Sequence, residues 1–152
     1  MSKIIVILVL FLVLIGGVVL YKQIQASQVK KSGKVTINNH IFDVEVVKTD
    51  KDKQIGLTKY KSIKENQGMF FVFNNEGSPS FWMKNMKFSI DILFIENDTV
   101  VYLAENANPA DPKTDPTIYK PDVSAKYVLE IKSGLIKKYN IKKGDKVKIE
   151  ME

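Results

Sequence analysis

Two acidic residues lie inside apolar, strand-like runs, where a carboxylate needs a partner or a shifted pKa. Asp91 shares a strand face with Leu93 and Ile95 in FSIDILFIE. Glu130 lies between Leu129 and Ile131 in YVLEIK, and shares its own face with Val128 and Lys132. Trp82, Lys84 and Asn85 precede Asp91 by a few residues in FWMKN. Brought together, these five would compose a pocket, with two carboxyls for acid–base work, an ammonium and an amide for orientation, and an indole platform for a sugar-like ring. Paired carboxyls roughly 5–10 Å apart also suit glycoside hydrolysis. Two functions are therefore expected. The first is a non-catalytic module that binds a polymer, a small ligand or a protein through Trp82, Lys84, Asn85, Asp91 and Glu130. The alternative is a hydrolase with Asp91 and Glu130 as its acid/base pair. The structural reading of the same residues is a buried Asp–Lys or Glu–Lys pair that holds strand register.

Other chemistry is sparse. There are no cysteines, which removes disulfides, thiolate metal sites and a cysteine nucleophile together. The single histidine, His40, cannot build a multi-histidine metal site and reads as part of a hairpin turn. Met69, Met83 and Met86 lack the histidine or cysteine that usually accompanies sulfur in a copper site, so they are expected to pack in the core. No metal and no cofactor is expected.

Every one of the 23 basic residues is lysine, and the net charge is +6. A cationic surface draws any polyanion. Without arginine the chain lacks the side chain that makes most bidentate contacts to guanine, and its lysines are scattered, so no nucleic-acid partner is expected. Lys22, Lys30, Lys31 and Lys34 cluster behind a hydrophobic segment, which points to anionic lipid or an acidic wall polymer. The oligomeric state is not legible.

That segment runs uncharged from Ile4 to Leu20, and as a helix its 17 residues would cover roughly 26 Å, nearly the hydrocarbon core. Lys3 precedes it and Tyr21-Lys22 follow, an interfacial pattern. Residues 1–22 are therefore expected to be an uncleaved signal anchor, single-pass, sending the rest of the chain to the extracytoplasmic side. Cleavage near Ala26 and secretion is the alternative. Residues 23–34 read as a linker and 35–152 as one globular domain.

Inside that domain the pattern is β-rich. Asn38-Asn39 should turn a hairpin. Thr49 should cap a short helix that Gly56 stops. GMFFVF, from Gly68 to Phe73, should be a central strand buried on both faces. Strands are also expected over 80–85, 88–95, 99–104 and 126–132, a helix capped by Ser133, and a last strand in KVKIEME. Four of the five prolines fall in 105–125, which reads as a long loop that could cover a site. The expected fold is α+β: a compact, barrel-like antiparallel or mixed sheet with two short helices, preceded by one transmembrane helix.

GLTKY, GMFFVF, FWMKNMKFSIDILFIEND, YVLEIKSG and a later KKGD, in this order and spacing, resemble the family catalogued as domain of unknown function 192. The resemblance covers about Val35 to Glu152. Two places depart from the family's habit: Met86 stands where threonine is common and Ser89 where proline often precedes the leucine-aspartate pair. The resemblance implies a small single-domain β-rich fold, frequently exported, with no established reaction.

Overall fold

The computed structural model describes residues 32–74 and 77–151. The expected anchor and residues 23–31 of the expected linker lie outside the described residues. Among the described residues no helix is long and apolar enough to cross a membrane. Residues 32–34 are not linker: strand β1 (Ser32–Ile37) already begins there, because Ser32, Gly33 and Lys34 pair with Glu45, Val44 and Asp43 of β2 (His40–Val47).

Alternation in this hairpin turns Val35, Ile37, Phe42, Val44 and Val46 inward. Asn38 and Asn39 at its tip have φ of 49° and 65°, as a type I′ turn requires. His40 opens β2 and stacks on Tyr139, with ring centroids 3.6 Å apart. Thr49 caps helix α1 (Asp50–Ile55): its Oγ1 accepts the Asp52 N–H at 3.2 Å, while Asp50 and Asp52 place negative charge in the first turn. Gly56, at φ 49°, ends the helix and opens a 3₁₀ turn over Gly56–Lys59.

The chain continues through β3 (Gln67–Val72), β4 (Phe81–Trp82), β5 (Ile90–Glu96), β6 (Thr99–Ala107), β7 (Ile118–Tyr119), β8 (Tyr127–Lys132), α2 (Leu135–Lys138) and β9 (Val147–Met151). Seven strands form one sheet in the order β6-β5-β8-β3-β2-β1-β9. All neighbours are antiparallel except β2 and β3, whose parallel pairing is made possible by the α1 crossover. β3 is the middle strand and is buried on both faces from Gly68 to Phe71, as its unbroken apolar run implies. The ends of the sheet approach each other. Thr99 of β6 bridges Lys146, the Val100 N–H donates to the Asp145 carbonyl at 3.0 Å, and the Val147 N–H to the Asp98 carbonyl at 2.8 Å. The sheet is thereby a curled half-barrel with two short helices.

The two faces of the sheet carry two apolar clusters. One draws on all seven strands, with Val35, Phe42, Phe70, Leu93, Val100, Leu129 and Val147 among its members, and so fills the inside of the curl; Leu135 and Ile136 of α2 close it. The other, built on Met69, Phe71, Ile92, Phe94 and Val128, lies on the outer face of β3, β8 and β5. It is covered by Leu57 of the 3₁₀ turn, by Phe81 and Met83, and by Ala125 and Tyr119 of the proline-rich segment. Each such large side chain taken from water contributes roughly 1.5–3 kcal/mol.

Three expected elements differ. The strand over 80–85 shrinks to Phe81–Trp82, which among the described residues pairs only with the equally short β7, Trp82 standing opposite Ile118. The proline-rich stretch is not wholly irregular: β6 runs on to Ala107 and β7 lies within it. Ser133 does not cap α2. Gly134, at φ 88°, occupies the cap position without a side-chain bond, and the Ser133 hydroxyl donates instead to Asn106 Oδ1.

Candidate functional site

Antiparallel register decides where the two carboxyls go. In the β5–β8 ladder Asp91 stands opposite Ile131, and Ile92 opposite Glu130. Residues directly opposite share a face, so Asp91 points with Leu93, Ile95 and Ile131 into the curl, while Glu130 points with Ile92 and Val128 to the covered outer face. The acid/base pair expected from the sequence is corrected here: the sheet itself separates Asp91 from Glu130.

Asp91 is fully buried and both of its oxygens are occupied. Oδ1 accepts the Asn106 N–H at 2.9 Å and Oδ2 the Ile136 N–H at 2.8 Å. The first donor is presented by an irregularity in β6. Ile90 pairs with Ala107 but Ile92 with Ala104, leaving an extra residue opposite Asp91, and Asn106 adopts φ 50° there. The second is an otherwise unpaired amide at the start of α2. The Asp91 carboxylate is thus a tertiary cap that joins β5, β6 and α2, and the lysine partner considered from the sequence is replaced by two backbone amides.

Glu130 has no such partners. It is 6 % exposed, flanked across the sheet by Met69 and Ile92, and its Oε2 is buried without a hydrogen bond. Burial alone raises its pKa from 4.5 to about 8, so the side chain is a neutral acid at pH 7, able to donate one hydrogen bond and accept others.

Glu130, a buried residue, is among those lining a half-open pocket of about 220 Å³, between the α1–3₁₀ segment and the β4 segment. Gly56, Leu57, Phe71, Phe73, Phe81 and Met86 supply apolar wall, and Trp82, 55 % exposed, stands at the mouth. Phe81 packs edge-on to Phe71, with centroids 5.0 Å apart, and to Phe94, at 5.7 Å. Two ammonium groups complete the lining: Lys53 Nζ is 4.5 Å from the Phe73 ring centroid and Lys84 Nζ 5.5 Å from that of Trp82.

Of the five residues expected at one site, the pocket brings together Trp82, Lys84 and Glu130. Asp91 is on the other face. Asn85 does not line the pocket; it is an exposed turn residue at φ 62°, where the Met86 N–H returns to the Met83 carbonyl at 3.3 Å. Met69 and Met83 are buried core residues, whereas Met86 is half-buried in the pocket wall. Among the described residues no three His, Asp or Glu side chains gather as a metal site would need. The sequence reading missed Lys53, Phe73 and Phe81, whose only signal was their place in the short helix, at the end of the central strand and in the short strand after it. The proline-rich segment does lie over the β4 region. Its Ala110 N–H donates to the Met83 carbonyl at 3.1 Å, and its Ala125 N–H to the Gly77 carbonyl at 2.9 Å.

Two solved structures are similar to this chain. A protein of unknown function from Novosphingobium aromaticivorans is 32 % identical with a TM-score of 0.68, over 77 % of this chain and 83 % of that one. A Sinorhizobium meliloti protein described as a "putative transcription regulator" is 25 % identical with a TM-score of 0.69, over 78 % of this chain and 92 % of that one. No curated protein matches. The family model for DUF192, described as uncharacterized ACR, matches residues 33–149, most of the chain, and the chain belongs to that family.

Proposed function

We propose that this protein is a ligand-binding module whose site is the pocket that Glu130 helps to line. The observation that carries this reading is that Glu130, a buried acid whose Oε2 has no hydrogen bond, is one of the residues lining an open, aromatic-walled pocket. A buried polar atom left unsatisfied costs about 1–3 kcal/mol, and a ligand group that draws the Glu130 carboxyl into a hydrogen bond recovers part of that cost. The volume, about 220 Å³, is below the ~300–1,000 Å³ typical of pockets for drug-sized ligands, so the site suits one ring-sized unit, free or at the end of a polymer. A hydrolase gains no support from Asp91 and Glu130, since they face opposite sides of the sheet. A DNA-binding role, which the description of the Sinorhizobium protein would suggest, gains none from the α-helices of the described residues, six and four residues long and too short to lie along a major groove.

The module is held at the cell envelope by residues 4–20 and faces outward, a reading supported by their uncharged run and by the anchoring Lys3 and Tyr21-Lys22. Protease added to intact cells should then digest the domain; protection would place it on the inner side.

The binding test is a ligand-observed NMR screen of small ring compounds against the full chain and its Glu130→Leu variant. Leucine fills the carboxyl's space and removes the polar atom, so the variant should fold and be more stable, yet bind at least about tenfold more weakly. Equal binding to both proteins would overturn the reading.

A further inference from the structure

We propose that the pocket binds an anionic pyranose, a six-membered sugar ring carrying a carboxylate or a phosphate. The inference rests on the binding-module reading and adds the charge and shape of the ligand. Glu130, 6 % exposed, is the least exposed of the polar lining residues, while Trp82 is 55 % exposed, so a ligand from solvent meets the indole before the carboxyl.

Three requirements follow from the lining. The Glu130 carboxyl, with one oxygen left without a hydrogen bond, is matched by a group that both donates and accepts, which a hydroxyl does. The aromatic side chains Phe81 and Trp82 offer apolar surface to the C–H face of a ring. The remaining charged lining residues are Lys53 and Lys84, both positive. Among the described residues Lys53 has only the surface carboxylate of Asp50, 3.6 Å away and 96 % exposed, and Lys84 pairs with no carboxylate. Both ammonium groups rest against aromatic rings, and the exposed Asp50 is the one carboxylate among the described residues that competes with an anion for either of them. A cationic ligand would meet two like charges, and a neutral one would leave both unused.

The full chain, kept in a detergent without sugar headgroups, carries its own reporter, because Trp82 is its only tryptophan. Its emission is titrated with glucuronate, glucose 6-phosphate, glucose and glucosamine. Glucuronate or glucose 6-phosphate should bind about tenfold more tightly than glucose, and glucosamine more weakly still. The tighter of the two anions distinguishes carboxylate from phosphate. Lys84→Gln should reduce the anion's advantage over glucose at least about threefold, the rest being held by Lys53. Glucose or glucosamine binding as well as the anions, or an anion preference untouched in Lys84→Gln, would overturn the inference and leave the binding module standing. Silence of Trp82 to all four sugars would also overturn it, and the Glu130→Leu screen then decides the module separately.

Discussion

Asp91 and Glu130 are both buried acids on neighbouring strands, and their surroundings are opposite in kind. Asp91 is held by two backbone amides, whereas Glu130 has no hydrogen bond to Oε2 and is pushed up to about 8 by burial. The sign of the resulting pH dependence follows from linkage. Below pH 4.5 folded and unfolded chains both hold the Glu130 proton. Between 4.5 and about 8 the unfolded chain releases it first, so stability falls as pH rises and levels off above 8. Relative to Glu130→Gln, which cannot titrate, the wild type should lose roughly 3 kcal/mol between pH 5 and 8 in urea unfolding. Parallel pH profiles for the two proteins would refute the raised pKa. Asp91→Asn should instead lose about 2–4 kcal/mol at both pH values, because its amide NH₂ turns a donor toward a backbone donor. That both acids stand among apolar neighbours was legible in the sequence, but their burial was not, since a solvated outer face would have suited Glu130 as simply. Their assignment to opposite faces was not, since a slip of one residue in the β5–β8 register would have placed them side by side.

The elements that hold the pocket were legible in proportion to how local their signals are. The Asn38-Asn39 turn, the Thr49 cap, the Gly56 stop and the doubly buried central strand each depend on contiguous residues, and each occurs as expected. The α2 cap and the β6 irregularity depend on Asp91, 45 residues from Ile136 and 15 from Asn106, and no local pattern announces them. Gly68 belongs to the same class. It reads as the start of a strand, but a Cβ there would lie 2.8 Å from the backbone oxygen of Glu130 and 3.2 Å from side-chain atoms of Ile131 and Leu129. Glycine is what lets β3 approach the strand that carries Glu130. Gly68→Ala should therefore cost about 2–3 kcal/mol, since backbone atoms must give way. Gly56→Ala, which has a 3.7 Å neighbour in Phe71 Cζ but φ of 49°, should cost only about 1–2 kcal/mol. Chemical denaturation of both variants checks the order, and a larger loss at Gly56 would mean that β3 and β8 can spread apart.

At the scale of the whole domain, the floor and the mouth of the pocket are fastened differently. The floor belongs to a seven-stranded sheet whose edges are joined through Thr99, Val100, Lys146 and Val147, so no part of it opens without loss of the inner core. The mouth hangs on a two-residue ribbon, Phe81–Trp82 against Ile118–Tyr119, and on single bonds such as those from the Ala110 and Ala125 amides. Segments with few backbone bonds and exposed apolar groups, here Trp82, Ile118 and Val123, open at lower free energy than the core they cover. Native-state hydrogen exchange resolves the two. The Val100 and Val147 amides should exchange only with global unfolding, while those of Ala110 and Ala125 should exchange through a local opening several kcal/mol less costly. Such an opening would let a ring enter past Trp82 without disturbing Glu130. Were Ala110 and Ala125 as protected as Val147, the cover and the sheet would be one cooperative unit, and a ligand would have to fit the mouth as it stands.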